Sequence, residues 1–117
     1  MKTFKTSAAQ GEISIRRVSA VPSGVTPLKP ENGKFIIGHS ETGHHHVMAL
    51  DRKQAFEATN APVGMRILYA NLEAAGELVH ERGNDTHETI GFEPGIYEFR
   101  LGREYDPYAE LARAVAD

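Results

Sequence analysis

The chain has 117 residues, 40% hydrophobic and 25% charged, with a formal net charge of −3; these values describe one globular domain with no broad attraction to nucleic acid or anionic lipid. It contains no cysteine, which excludes a disulfide framework, a thiolate zinc site and a thiol nucleophile, and leaves any metal to histidine and carboxylate ligands. The opening Met1-Lys2-Thr3-Phe4-Lys5-Thr6-Ser7 lacks the apolar run of a signal peptide, and no stretch approaches the ~20 apolar residues of a membrane span, so a cytoplasmic protein without nucleic-acid or membrane partners is expected.

Residues 1–117 read as a single β domain that begins with an N-terminal tail over 1–10. Glu12 to Val18 sets Ile13 and Ile15 on one face at period two, and Lys34 to His39 does the same with Phe35 and Ile37, so both are expected as half-buried strands. Between them, residues 19–32 hold Pro22, Pro27 and Pro30 with Ser23 and Gly24. That spacing forbids a helix and predicts an extended arm or long surface loop.

Val47 to Leu50, Arg66 to Ala70, Glu77 to His80, Thr86 to Phe92 and Ile96 to Tyr105 supply further strands. Asp51 to Asn60 carries both helical residues and edge-strand length, and is read as strand. Glu93-Pro94-Gly95 predicts a type II turn joining the last two strands, with Pro fixing φ at one central position and Gly accepting positive φ at the next. In the final strand Tyr97, Phe99 and Leu101 share a face that belongs in the core. About seven short strands make the expected fold all-β, a small antiparallel barrel or sandwich. One short C-terminal α-helix over 106–116 should complete it: Asp106 is a suitable N-cap, Pro107 fits the first turn, and Tyr108, Leu111, Ala112 and Val115 form an apolar stripe. So short a helix is marginal alone in water and should dock on the domain or on a neighbouring subunit.

Four of the six histidines lie close together, His39 and then His44, His45 and His46, in Gly38-His39-Ser40-Glu41-Thr42-Gly43-His44-His45-His46-Val47. The run is internal and continues into an apolar strand, unlike an affinity tag. A hairpin closed by Ser40 to Gly43 would oppose His39 and His44 directly and add His46 to the same face opposite Ile37, with His45 pointing to the other side. Three imidazoles would then converge above an apolar floor of Phe35, Ile37, Met48 and Leu50. Such a site can hold one divalent metal (zinc, nickel or iron), with Glu41 at the tip or His87 from a distant strand as a further ligand. His80 is expected to be an exposed strand-end residue. The bland alternative leaves these histidines as solvated polar residues.

Other catalytic patterns are incomplete. Gly38-His39-Ser40-Glu41-Thr42 lacks the second glycine of a nucleophile elbow, and His87-Glu88-Thr89-Ile90-Gly91 lacks the second histidine of the zinc-protease helix. Glycine-rich phosphate loops and calcium-loop acidic spacing are also missing.

His44-His45-His46 after a glycine-bounded strand, together with Phe92-Glu93-Pro94-Gly95-Ile96-Tyr97, resembles fragments of the two cupin motifs, which implies a His-ligated metalloenzyme in a β-barrel. The chain departs from that pattern: Pro94 and Gly95 are adjacent, and no glutamate follows His46 at the cupin distance. A second resemblance spans residues 34–107. His39-Ser40-Glu41-Thr42-Gly43-His44-His45-His46-Val47, with Pro94 to Arg100 and Arg103-Glu104-Tyr105-Asp106-Pro107, looks like a group of small uncharacterised proteins of bacteriophages and bacteria. It implies a phage-associated setting and no particular activity. The expectation drawn from the whole sequence is a non-enzymatic structural or interaction protein, a phage particle decoration or assembly component. It would bind itself or other structural proteins as a homo-oligomer or in an assembly, and be located in the cytoplasm or, if phage-encoded, in the virion. The alternative is the cupin-like metalloenzyme. A third reading is a histidine pH switch in which protonated His39 and His44 repel each other and loosen the hairpin.

Overall fold

A computed structural model describes residues 1–39, 44–49, 51–81 and 88–102. The expected hairpin tip with Glu41, then Leu50, His87 and the helix over 106–116 lie outside the described residues. Among those described, eleven strands and no helix are present: β1 (Lys2–Thr3), β2 (Ser7–Gln10), β3 (Ile13–Val18), β4 (Val25–Pro27), β5 (Lys34–Gly38), β6 (His46–Ala49), β7 (Lys53–Ala58), β8 (Met65–Leu72), β9 (Gly76–His80), β10 (Ile90–Phe92) and β11 (Gly95–Gly102). The fold is all-β, as the alternating apolar residues require.

The strands form two sheets, one ordered β1-β10-β9-β6-β5 and the other β2-β3-β11-β8-β7-β4. Neither closes into a barrel among the described residues, so of the two expected architectures the layered one is present. Every pairing is antiparallel except that of β1 with β10. Ile13, Ile15, Leu68, Phe99 and Leu101 of the six-stranded sheet meet Phe35, Ile37, Met48, Leu78 and Ile90 of the five-stranded sheet in one buried cluster. The two inner faces therefore make the core, and the period-two readings of β3, β5 and β11 hold.

Three segments differ from the expectation. Residues 1–10 are not a tail: β1 adds an edge to the five-stranded sheet through Lys2 N–H donating to Thr89 O at 3.0 Å, and β2 pairs with β3 in the other sheet. Phe4 lies between them, its ring packed edge-on against Phe92 at 5.1 Å and Tyr97 at 5.6 Å, so this segment straps one side of the sandwich. An open cleft of about 730 Å³ lies beside it, with Phe4, Phe92 and Pro94 among its lining residues. The proline-containing stretch contributes β4 at a sheet edge, where Pro27 needs no ladder partner on its outer side. Finally, Gly95 has φ +156°, away from the roughly +80° of a type II turn. The Glu93–Gly95 corner does join β10 to β11, but it carries the chain from one sheet to the other, held by Arg17 Nη2 donating to Pro94 O at 2.8 Å and Tyr97 Oη donating to Glu93 O at 2.8 Å.

Candidate functional site

The histidines separate into two pairs on opposite faces of β6. Lys34, Phe35 and Ile36 oppose Ala49, Met48 and Val47 in the expected register, but a β-bulge then leaves Ile37 without an opposite number and sets Gly38 against His46. One extra residue exchanges the faces of everything beyond it. His39, which strict alternation would put beside His46, instead meets His45, with ring centroids 5.3 Å apart. Its Nε2 lies 3.7 Å from Oε2 of Glu31. His44 is exposed. The expected convergence of His39, His44 and His46 does not form.

His46 turns inward and finds a different neighbour. His80 stands opposite it across β6 and β9, and the two imidazoles stack with centroids 4.3 Å apart and planes 6° from parallel. His80 is buried at 8% exposure, which corrects its reading as an exposed strand end. Gln10, at the inner end of β2, completes the group. Its Nε2 donates to Leu78 O at 3.0 Å and Glu88 O at 2.9 Å. With both amide hydrogens committed, its Oε1 can only accept, and it lies 2.6 Å from Nδ1 of His46. His46 therefore carries a hydrogen on Nδ1, and in the neutral ring Nε2 is the acceptor nitrogen. Gln10 thereby ties the six-stranded sheet to the five-stranded one.

Among the described residues, no three His, Asp or Glu side chains are grouped closely enough to hold one metal ion. Glu57, a second carboxylate on which His39 acts, accepts two hydrogen bonds from Arg66, each 2.9 Å. Those bonds hold its carboxyl below the usual range against the opposing effect of burial, with the charges of Arg66 and His39 acting in the same direction.

The second polar group lies on the outer face of the six-stranded sheet. Because Tyr97, Phe99 and Leu101 face the core, Glu98 and Arg100 face away. Register aligns Pro27, Phe56, Tyr69, Glu98, Arg16 and Ser7 across all six strands. Glu98 is only 3% exposed despite this outward position. Arg16 donates to it from Nε at 2.8 Å and Nη2 at 3.2 Å, Arg100 from Nε at 2.8 Å, and Tyr69 from its hydroxyl at 2.9 Å. Burial alone pushes the carboxyl up, but the hydrogen bonds from Arg16, Arg100 and Tyr69 outweigh it and hold Glu98 at about 2. Burial, with the bond to Glu98, pushes the Tyr69 hydroxyl up and keeps it a donor.

Around this centre apolar and polar residues are mixed. A neighbouring row runs Ile67, Arg100, Ser14, Ala9 and another runs Gln54, Asn71, Ile96, Val18, while Val25 opposes Ala58 near the edge. Phe56, Ala58, Ile67 and Ile96 are half-buried. An antiparallel sheet with one solvated face ordinarily alternates apolar and polar residues, so Phe56, Ile67 and Ile96 depart from the usual outward pattern. Sequence reasoning missed Gln10, Arg16 and Glu98. The alternation that buries Tyr97 and Phe99 does place Glu98 outside, but the partners that bury it come from strands distant in sequence.

These features define a two-sheet β protein with a polar tie between its layers and, on its outer face, apolar side chains around a buried carboxylate. Residues 9–101 match the family described as a domain of unknown function, DUF8820, and the chain belongs to that family. No curated protein and no solved structure matches it. No helix among the described residues is long and apolar enough to cross a membrane.

Proposed function

We propose that this chain is a structural and interaction protein without catalytic chemistry, acting as an assembly or decoration component of a larger particle. A bacteriophage particle is the setting to which the resemblance of the His39–Val47 string points. One observation carries the reading: the outer face of the six-stranded sheet presents Phe56, Ala58, Ile67 and Ile96 around an Arg16–Glu98–Arg100 centre with Tyr69. Apolar area with arginine and tyrosine at its middle is the composition of interface cores.

The test is co-sedimentation of the tagged chain with particles from the cells or phage that encode it, beside Ile67→Glu, which places a charge on this face without touching the core. Wild-type protein should travel with the particle, and the variant should remain at the top of the gradient while keeping its circular dichroism. Wild-type protein that stays free at the top, or a variant that sediments equally well, would remove the assembly reading.

A further inference from the structure

We propose that the outer face of the six-stranded sheet binds a protein surface that is apolar and carries carboxylates, and that it does not bind a second copy of this chain. The proposal rests on the assembly reading and adds the chemistry of the partner. On the aligned outward rows the charged residues are Arg16, Glu98 and Arg100. Two arginines against one glutamate leave one net positive charge on a chain whose formal total is −3.

The donors are also set for an incoming carboxylate. Arg16 uses Nε and Nη2 on Glu98, and Arg100 uses Nε. Among the described residues, Nη1 of Arg16 and both terminal nitrogens of Arg100 are the donors that remain, on side chains 58% and 49% exposed. Glu98 fixes both guanidinium groups in advance, so an external carboxylate meets arginines whose freedom is already reduced.

A second copy fits poorly. A two-fold contact apposes the same patch on both subunits, which would bring together two Arg16–Glu98–Arg100 centres of one net positive charge each, and like charges enclosed in a contact repel. Size is adequate for a folded partner: five gaps of about 4.8 Å make the face roughly 24 Å wide, close to the breadth of the ~800 Å² that a standard interface buries on each side.

The experiment is an NMR titration of the isotope-labelled chain with two short capped peptides, one alternating leucine with glutamate and the other leucine with lysine. It is accompanied by sedimentation velocity of the free protein. The glutamate peptide should shift the amides of Phe56, Ile67, Tyr69 and Arg100 and bind about tenfold more tightly than the lysine peptide. Arg100→Gln, which leaves Glu98 its bonds to Arg16 and Tyr69, should erase most of that preference, and Ile67→Glu should abolish binding. Equal binding of the two peptides, no binding of either, or shifts confined to another face would overturn the proposal. So would a dimer that Ile67→Glu dissociates. If Ile67→Glu blocks particle association while the peptides are not distinguished, the partner chemistry alone is wrong; if association survives Ile67→Glu, the assembly reading falls as well.

Discussion

Oε1 of Gln10 accepts from Nδ1 of His46 across the two sheets at 2.6 Å, and the same glutamine donates to the backbone carbonyls of Leu78 and Glu88. One buried side chain thus satisfies three groups of the opposite layer. Gln10→Leu keeps approximate bulk and removes every partner, and should cost about 2–4 kcal/mol, since each buried group left unpaired costs about 1–3 kcal/mol. Urea unfolding measures it. A loss under about 0.5 kcal/mol, within the ordinary range of surface substitutions, would show that the tie contributes nothing.

The Glu98 carboxyl gives a pH prediction with a definite sign. Its folded value is about 2 against an ordinary 4.5, so its contribution is full above pH ~4.5 and disappears as pH falls from there towards ~2. With partly solvated arginine partners the contribution should be about 1–3 kcal/mol. Glu98→Gln should be less stable than wild type at neutral pH, and the gap should narrow below pH ~4.5. A gap that stays constant down to pH ~2 would contradict the assigned geometry.

Tyr69→Phe removes one donor from Glu98 and leaves two arginines in place. It should cost about 1–2 kcal/mol and raise the Glu98 titration midpoint, read from its carboxyl carbon shift. An unchanged midpoint would mean that the hydroxyl does not bond the carboxylate in solution.

Gly38 lies where the bulge brings β5 against its neighbours. A Cβ there would stand 3.0 Å from Cδ1 of Ile13 and 3.1 Å from Cδ2 of His46, one in the core and the other on a ring held by Gln10. Gly38→Ala should destabilise by about 1–3 kcal/mol through overpacking and shift the His46 ring resonances. Gly33, with φ +74° and open space around its Cβ position, is the control in which any cost is conformational and those resonances stay put.

Phe4→Ala should release the strap. The ring packs against Phe92 and Tyr97, and its loss should cost about 2–4 kcal/mol while exchange of the Lys2 amide rises towards the unstructured rate. Protection at Lys2 that survives the substitution would show that pairing to β10 holds β1 without the aromatic contact.

Legibility in the sequence followed the range of the interactions. Ile13 with Ile15, Phe35 with Ile37, and Tyr97 with Phe99 and Leu101 announce their faces by alternation, because burial on one side of a strand is a local property. Ser7-Ala8-Ala9-Gln10 carries little apolar signal, so β2 is visible only through its pairing with β3. The histidine geometry failed on one residue. Alternation predicts the side of His39 only in an unbulged ladder, and nothing in Phe35 to His39 marks Ile37 as the extra residue. The burial of Glu98 and His80 depends on partners from other strands, and a single sequence does not pair strands.

The six-stranded sheet places β11 between β3 and β8, so its middle is supplied by the latest strand described. Arg16 and Glu98, neighbours in that sheet, are 82 positions apart. At ~5–20 residues per second, a ribosome would leave β3 waiting roughly 4–16 s for its central partner. Throughout that interval the β3 edge that pairs with β11 is open, and β2 on the other edge can add only a hairpin, which is marginally stable by itself. Non-local pairing of this kind also places refolding towards the slow, millisecond-to-second end of small domains. Until β11 emerges the nascent chain therefore carries an unpaired strand edge, a template on which another chain can pair.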